Sequence, residues 1–433
     1  MFSQGSQLKT RVLVRTQKNA TPMGELNDMS KTIRFWVGVL IGAISLVFAT
    51  ALIVAYRFAW LVLTPPGEKV FDLEILELEY SRGEIVSVTL PLNDDTVLPG
   101  QYSLVFARGQ GIARLGDVTS VRAHTVQRAV LGVTGMPPVA GMRGRFNGWM
   151  FLDPAPLQVS WRTVLLRGIS GVLPAWYVAP KRKRGTKSHS KTWAIHVHGR
   201  SASRAETLRG VGITASMGWS NLVCSYRNDE LARFSGNGRY ALGAEEWRDV
   251  DFALSHAVQR GASDIVLYGW SMGGAICLQL LEKSQFRNKI RAVVLDSPAL
   301  DWKNVLSFHA ELSRVAPPVT RLGLWLMKRG IVRSGVSGGI PFKQLDALPI
   351  LRGSQTPVLI LHSEDDGYVP FAPSAKLAKQ CDHVTLVAYK DARHCKLWNM
   401  DPKKYERAVA GWLGQLSSTE DSPAGRADHA PSA

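Results

Sequence analysis

The stretch from Ile265 to Leu281 constrains the fold of this chain more than any other. An apolar run, Ile265-Val266-Leu267-Tyr268, is followed by Gly269-Trp270-Ser271-Met272-Gly273 with Gly274 behind it, and then by the apolar Ala275-Ile276-Cys277-Leu278-Gln279-Leu280-Leu281. The order reads as a strand, a sharp turn and a helix, with G-x-S-x-G in the turn. A serine held on such a turn has strained backbone angles, and glycines two positions to either side leave room for the neighbouring backbone. Its hydroxyl is presented at a helix N-terminus, where N–H groups favour the negative charge that develops when a carbonyl is attacked. Gly-rich turns match G-x-S-x-G by chance, so the weight of the pattern depends on what else the chain supplies.

A serine hydroxyl is a weak nucleophile until a base takes its proton, and the base needs a group to orient it. Pro357-Val358-Leu359-Ile360-Leu361-His362 reads as a buried strand and runs into Ser363-Glu364-Asp365-Asp366-Gly367-Tyr368-Val369-Pro370. A further apolar strand, Val384 to Ala388, leads into the polar loop Tyr389 to Cys395, which holds His394. Ser, Asp and His thus fall in that order after three strands. Upstream, the strand Trp193 to Val197 ends in His198-Gly199-Arg200-Ser201.

With these four segments in sequence, the chain from about Trp161 to Leu416 resembles an α/β-hydrolase, in particular the branch of prolyl-oligopeptidase-like and acyl-lipase-like serine hydrolases. The acid loop is similar to the family pattern H-G-x-x-D-x-x-V-P, although position 363 is Ser where the family usually has Gly. Register selects Asp366, four after His362 and three before Val369, with Asp365 and Glu364 as the alternatives. The resemblance implies Ser271 as nucleophile, His394 as base and Asp366 as its partner, with Gly269 and Gly273 as the glycines of the turn. It also implies an oxyanion hole built from the N–H of Met272 and that of Arg200 or an immediate neighbour. His198 reads as a structural residue of its turn and the Arg200 side chain as a solvated loop arginine. No cofactor or metal is required. The implied substrate is a small molecule with an ester bond, or an acyl or peptidyl group. An acyltransferase would use the same residues, and a non-catalytic binding protein on a hydrolase scaffold is the alternative from a different class. The fold does not choose the substrate.

Patterning elsewhere fits this architecture. Asn221 to Cys224 is a short apolar strand, Glu245 to Arg260 places Trp247, Val250, Leu254 and Val258 on one helical face, and Arg291 to Leu295 is another strand ending at Asp296-Ser297-Pro298. Short apolar strands alternating with amphipathic helices predict a mostly parallel sheet with helices on both faces. An insertion at about 301–353 is rich in Leu, Phe and Trp, and Pro317-Pro318 breaks it into two helices. In the resembling family such an insertion commonly forms a cap over the site, which would favour an apolar acyl group. A helix pair burying its own apolar face is the other reading.

Ahead of the hydrolase, Phe35 to Tyr56 holds no charged side chain and is closed by Arg34 and Arg57. That length crosses a bilayer as a helix. The upstream flank carries Lys9, Arg11, Arg15, Lys18, Lys31 and Arg34, and the downstream flank Asp72 and several glutamates. Charge asymmetry places the N-terminus in the cytoplasm and the hydrolase outside. A cleaved signal peptide is the rival, with Ala49-Thr50-Ala51 as a weak cleavage site and an apolar stretch longer than the usual h-region. The expected organisation is a cytoplasmic tail over 1–34, a transmembrane anchor over 35–63, a small β-rich domain over 64–160, the hydrolase over 161–416 and a disordered tail over 417–433. In the β-rich part, Gly109-Gln110-Gly111 reads as a hairpin turn rather than a nucleotide-binding loop, since no helix follows it.

The formal net charge of +17 is partly concentrated in Lys181-Arg182-Lys183-Arg184 with Lys187 and Lys191, which reads first as a solvated loop between strands, although such a surface also suits anionic lipid heads or acidic polymers. No recognition motif accompanies it, so nucleic acid is not an expected partner. Cys224 and Cys277 read as core residues, Cys381 and Cys395 could pair outside the cell, and the spacing of the four gives no metal site. Nothing in the sequence sets an oligomeric state.

Overall fold

The computed structural model describes residues 23–67, 70–169, 171–181, 191–229 and 238–420. Arg182 to Arg184, Lys187 and the tail from residue 421 lie outside the described residues, as do the basic residues before Met23. The chain divides into two compact units, Met1–Val54 and Ala55–Ala433.

The first unit contributes most of one long helix, Met23–Leu63. Among the described residues this is the one helix long and apolar enough to cross a membrane. Large apolar side chains from Phe35 to Val54 are exposed along it. The helix does not keep that character to Leu63. In the second unit Ala55, Ala59 and Leu63, spaced at four residues and so on one helical face, are buried in the hydrolase core. The exposed part is Phe35–Val54, about 20 residues or ~30 Å of helix, and the remainder is a docked segment of the second unit.

A seven-stranded antiparallel sheet follows, ordered Leu73–Glu74, Arg143–Asn147, Tyr102–Phe106, Gly111–Val121, Thr125–Gly135, Glu84–Pro91 and Glu77–Ser81. Gly109 and Gln110 do sit in a hairpin, with Phe106 opposite Gly111. The sheet's own core includes Ile75, Leu90, Leu104, Phe106 and Leu115. Arg128 is fully buried beside it and donates to the carbonyls of Thr96, Leu98, Gly100 and Gly116, an uncharged acceptor set that satisfies the cation and organises the 96–100 loop.

The second sheet comprises Trp161–Gly168 (β1), Gly171–Val178 (β2), Thr192–Val197 (β3), Ser220–Cys224 (β4), Asp264–Trp270 (β5), Ile290–Asp296 (β6), Val358–Ser363 (β7) and Val384–Tyr389 (β8). Its order is β8-β7-β6-β5-β3-β4-β2-β1. All pairings from β8 to β4 are parallel, and only β4–β2 and β2–β1 are antiparallel. Side chains alternate between two apolar layers: Ile265 and Leu267 of β5 join one, while Val266, Tyr268 and Trp270 join the other. A strand buried on both faces reads as an unbroken apolar run, which is how these strands look in sequence. The expected mostly parallel sheet with helices on both faces and a helical insertion is what the chain forms. In the insertion, Trp302–Leu312 is N-capped by the Asp301 carboxylate, and Pro317 and Pro318 open the next helix, Pro317–Lys328.

Candidate active site

The turn after β5 is held by close backbone approach. A Cβ on Gly269 would lie 2.6 Å from the Gly273 carbonyl oxygen, and one on Gly273 would lie 2.2 Å from that of Val197 at the end of β3. Only glycine fits such gaps. Between them Ser271 adopts φ 52° and ψ −117°, a strained conformation for a residue with a side chain, and its N–H donates to the Asp296 carbonyl at 2.9 Å.

Two segments distant in sequence converge on this serine. The Ser271 hydroxyl lies 2.9 Å from His394 Nε2, and His394 Nδ1 lies 2.8 and 2.9 Å from the two carboxylate oxygens of Asp366. With Nδ1 carrying its proton towards the carboxylate, Nε2 is left to accept the hydroxyl hydrogen. Asp366 is buried and also accepts the N–H groups of Tyr368 and Val369. The two alternatives point elsewhere: Asp365 is exposed and pairs with Arg393 at 2.9 Å, and Glu364 is exposed. Ser363, where the family usually has Gly, accepts the N–H groups of Asp365 and Ala392 and so joins the acid loop to the histidine loop.

Electrostatics follow from this packing. Burial pushes the His394 imidazole down, but the charge and hydrogen bond of Asp366 outweigh it, with Glu206 and Asp296 adding to the same side, so its pKa is raised. Burial pushes the Asp366 carboxyl up, and His394 and His362 overcome that, leaving it well below the usual carboxylate range.

The Met272 N–H and the turn that carries Arg200 adjoin the serine. Met272 is the first residue of the helix Met272–Lys283, so its N–H has no partner within the helix. Across from it runs the turn His198-Gly199-Arg200-Ser201. A Cβ on Gly199 would lie 3.0 Å from the Ser271 Cβ, which sets the turn directly against the nucleophile. The Gly199 N–H donates to Glu206 at 2.7 Å and that of Ser201 to the Tyr240 hydroxyl at 3.2 Å, and the Arg200 N–H lies between these two engaged groups. His198 is buried against Asp229 at 3.1 Å and stacks on Tyr226. The Arg200 side chain is not a solvated loop arginine: its guanidinium donates to the carbonyls of Leu61, Val62 and Thr64.

Several neighbours were not legible in sequence. Tyr368 stacks on His394 at 4.9 Å, and His309 of the insertion meets Tyr368 edge-on at 4.3 Å. A helical histidine has no motif to announce it. Loops of the β-rich part, and Arg209 of the hydrolase helix Leu208–Ser216, also buttress the histidine loop. Asn399 donates to the carbonyls of Gln101 and Gly148, Lys396 pairs with Asp95 at 2.6 Å, and Arg209 donates to the Cys395 carbonyl at 2.7 Å. A cavity of about 1770 Å³ lies between that sheet and the hydrolase, and neither Ser271 nor His394 lines it. Among the described residues no group of His, Cys, Asp and Glu is arranged to hold a metal. All four cysteines are free and buried, with Cys381 and Cys395 in different core clusters.

Comparison with known proteins adds the following. Residues 189–408 match a family model described as the alpha/beta hydrolase family, and residues 75–147 match one described as a domain of unknown function (DUF8805). The uncharacterized protein YqkD of Bacillus subtilis (strain 168) is 21% identical over 234 residues, 52% of this chain and 72% of that protein. Among solved structures, the Pyrococcus furiosus esterase Pf2001 aligns with a TM-score of 0.47 at 16% identity, covering 61% of this chain and 94% of its own. Est1E from Butyrivibrio proteoclasticus aligns with a TM-score of 0.42 at 15% identity, covering 59% and 99%.

Proposed function

Because the chain belongs to the alpha/beta hydrolase family, we propose that it is a serine hydrolase that cleaves an ester, or a peptide, bond through an acyl-enzyme on Ser271. The observation that carries this reading is the unbroken line from Asp366 through His394 to the Ser271 hydroxyl. His394 takes the hydroxyl proton as Oγ attacks the carbonyl carbon, and the N–H groups of Met272 and Arg200 receive the negative oxygen. His394 then gives the proton to the leaving oxygen or nitrogen as its bond to carbon breaks. Water attacks the acyl-enzyme in turn, losing a proton to His394, which returns it to Ser271. A fluorophosphonate probe incubated with the full chain should label Ser271 stoichiometrically, and p-nitrophenyl esters should be turned over. A folded protein that takes no label would remove the reading.

The acid limb of the pH profile is a second test. The reaction needs neutral His394, so kcat/KM should rise with pH through the imidazole's pKa, which the Asp366 carboxylate raises above the ordinary ~6.5. The linked stability runs the other way. The raised histidine contributes stability that is fully present below its unfolded pKa and is lost as pH rises through the folded one. A kcat/KM profile flat from pH 5 to 8 would exclude His394 as the base.

We further propose that Phe35–Val54 anchors the protein in a membrane, with its N-terminus cytoplasmic and the hydrolase outside. Exposed apolar side chains along about one bilayer thickness of helix support anchoring, and the basic upstream flank supports the orientation. The full chain should stay with membranes through high-salt and carbonate washes, and a reporter active only outside the cytoplasm, fused after Leu416, should be active. Release of a shortened soluble form would mean a cleaved signal sequence instead.

A further inference from the structure

The end of the N-terminal helix does more than connect. Ala55, Ala59 and Leu63 are 1%, 0% and 0% exposed, in the same core as Met272 and Ile276 of the serine's helix. Gly323 in the helix Pro317–Lys328 lies so near that a Cβ there would be 3.3 Å from the Ala55 carbonyl oxygen. The last carbonyls of a helix lack intrahelical partners, and here the active-site turn supplies them. Arg200 Nε donates to the Val62 carbonyl at 3.0 Å, its Nη2 donates to Leu61 at 3.0 Å and Thr64 at 3.4 Å, and the Tyr240 N–H donates to Leu63 at 2.8 Å. A cation at a helix C-terminus also sits favourably in the helix dipole. Tyr240 closes the arrangement. Its ring lies 5.2 Å under the Arg200 guanidinium, and its hydroxyl accepts the Ser201 N–H. The residue proposed to supply the second oxyanion N–H is thus tied by its own side chain to the helix end, and the next residue in the turn is tied to the same place through Tyr240.

We infer that the Arg200 guanidinium is a positioning group that fixes the oxyanion-binding turn to the docked end of the N-terminal helix, making residues 61–64 a working part of the catalytic unit. The inference rests on the serine-hydrolase reading above. It predicts that loosening the helix end slows turnover without unfolding the protein, because an oxyanion donor acts only when it is held in place.

The test uses the full chain in detergent, with four variants: Arg200→Ala, Arg200→Lys, Ala59→Leu, which enlarges a buried contact far from the chemistry, and Tyr56→Ala on the exposed face of the helix. Arg200→Ala should lower kcat about ten- to a hundred-fold while KM moves less than about three-fold, since a misplaced oxyanion donor weakens transition-state binding selectively. Affinity for a trifluoromethyl ketone, whose hemiketal oxygen occupies the oxyanion site, should fall in parallel. Ala59→Leu should show the same signature, Arg200→Lys should recover part of kcat, and Tyr56→Ala should match wild type. Circular dichroism and thermal melts establish that each variant is folded. Wild-type turnover with kcat and ketone affinity unchanged in folded Arg200→Ala and Ala59→Leu would overturn the inference alone. A wild-type chain that neither labels nor turns over would remove the underlying reading, and this inference with it.

Discussion

Ser271→Ala is expected to abolish fluorophosphonate labelling and to lower kcat by on the order of 10⁶-fold, the scale of losing a nucleophile that works as a unit with its base. The protein should remain folded. One hydroxyl is removed from a side chain that pairs with His394, while the backbone ties of the turn, Ser271 N–H to Asp296 and Gly274 N–H to Ser271, stay in place. Intact-mass detection of the probe adduct, alongside a thermal melt, checks both halves. Labelling that persists in the variant would move the nucleophile to another residue.

Asp366→Asn should cost about 10⁴-fold in kcat, because an amide neither holds the imidazole in the required tautomer nor stabilises the imidazolium. Asp365→Asn, one residue away, should change kcat by less than about two-fold. Its carboxylate is exposed and paired with Arg393, and exposed pairs of this kind contribute little. Steady-state kinetics on both variants with one ester decides the point, and a reversed ranking would reassign the acid. Asp366→Asn should also move the acid limb of kcat/KM to lower pH, since the charge that raises the His394 pKa is gone.

The residues that converge on Ser271 were legible because each is announced by its own short segment. Glycines at 269 and 273 mark the turn around Ser271, the run of apolar residues before His362 marks a strand end, and the polar loop after Ala388 holds one histidine. What no local pattern carries is the partner of a side chain that reaches across the chain. Arg200 read as solvated because its own neighbours are polar loop residues, and its carbonyl partners are 136 to 139 residues away in sequence. Ser363 looked like a weak match to the family and instead bridges two loops through its hydroxyl, 29 residues from Ala392. His309 and Tyr368 reach the imidazole by stacking, which leaves no spacing to read.

The N-terminal helix divides along the same line. Composition by itself determined that an apolar helix lies there, since an uncharged run of that length buries its backbone polar groups only as a helix in an apolar surrounding. It could not determine where the exposed part stops, because the uncharged run continues past Val54 to Tyr56 and apolar residues resume after Arg57 as far as Leu63. The tertiary structure decided that boundary by the small side chains at 55 and 59, which let the helix pack closely on the hydrolase core. Hydrophobicity measures only the free energy of leaving water, and bilayer and protein core both supply it. Shape complementarity and the hydrogen bonds at the helix end distinguish them, and these exist only once residues far apart in the chain have met.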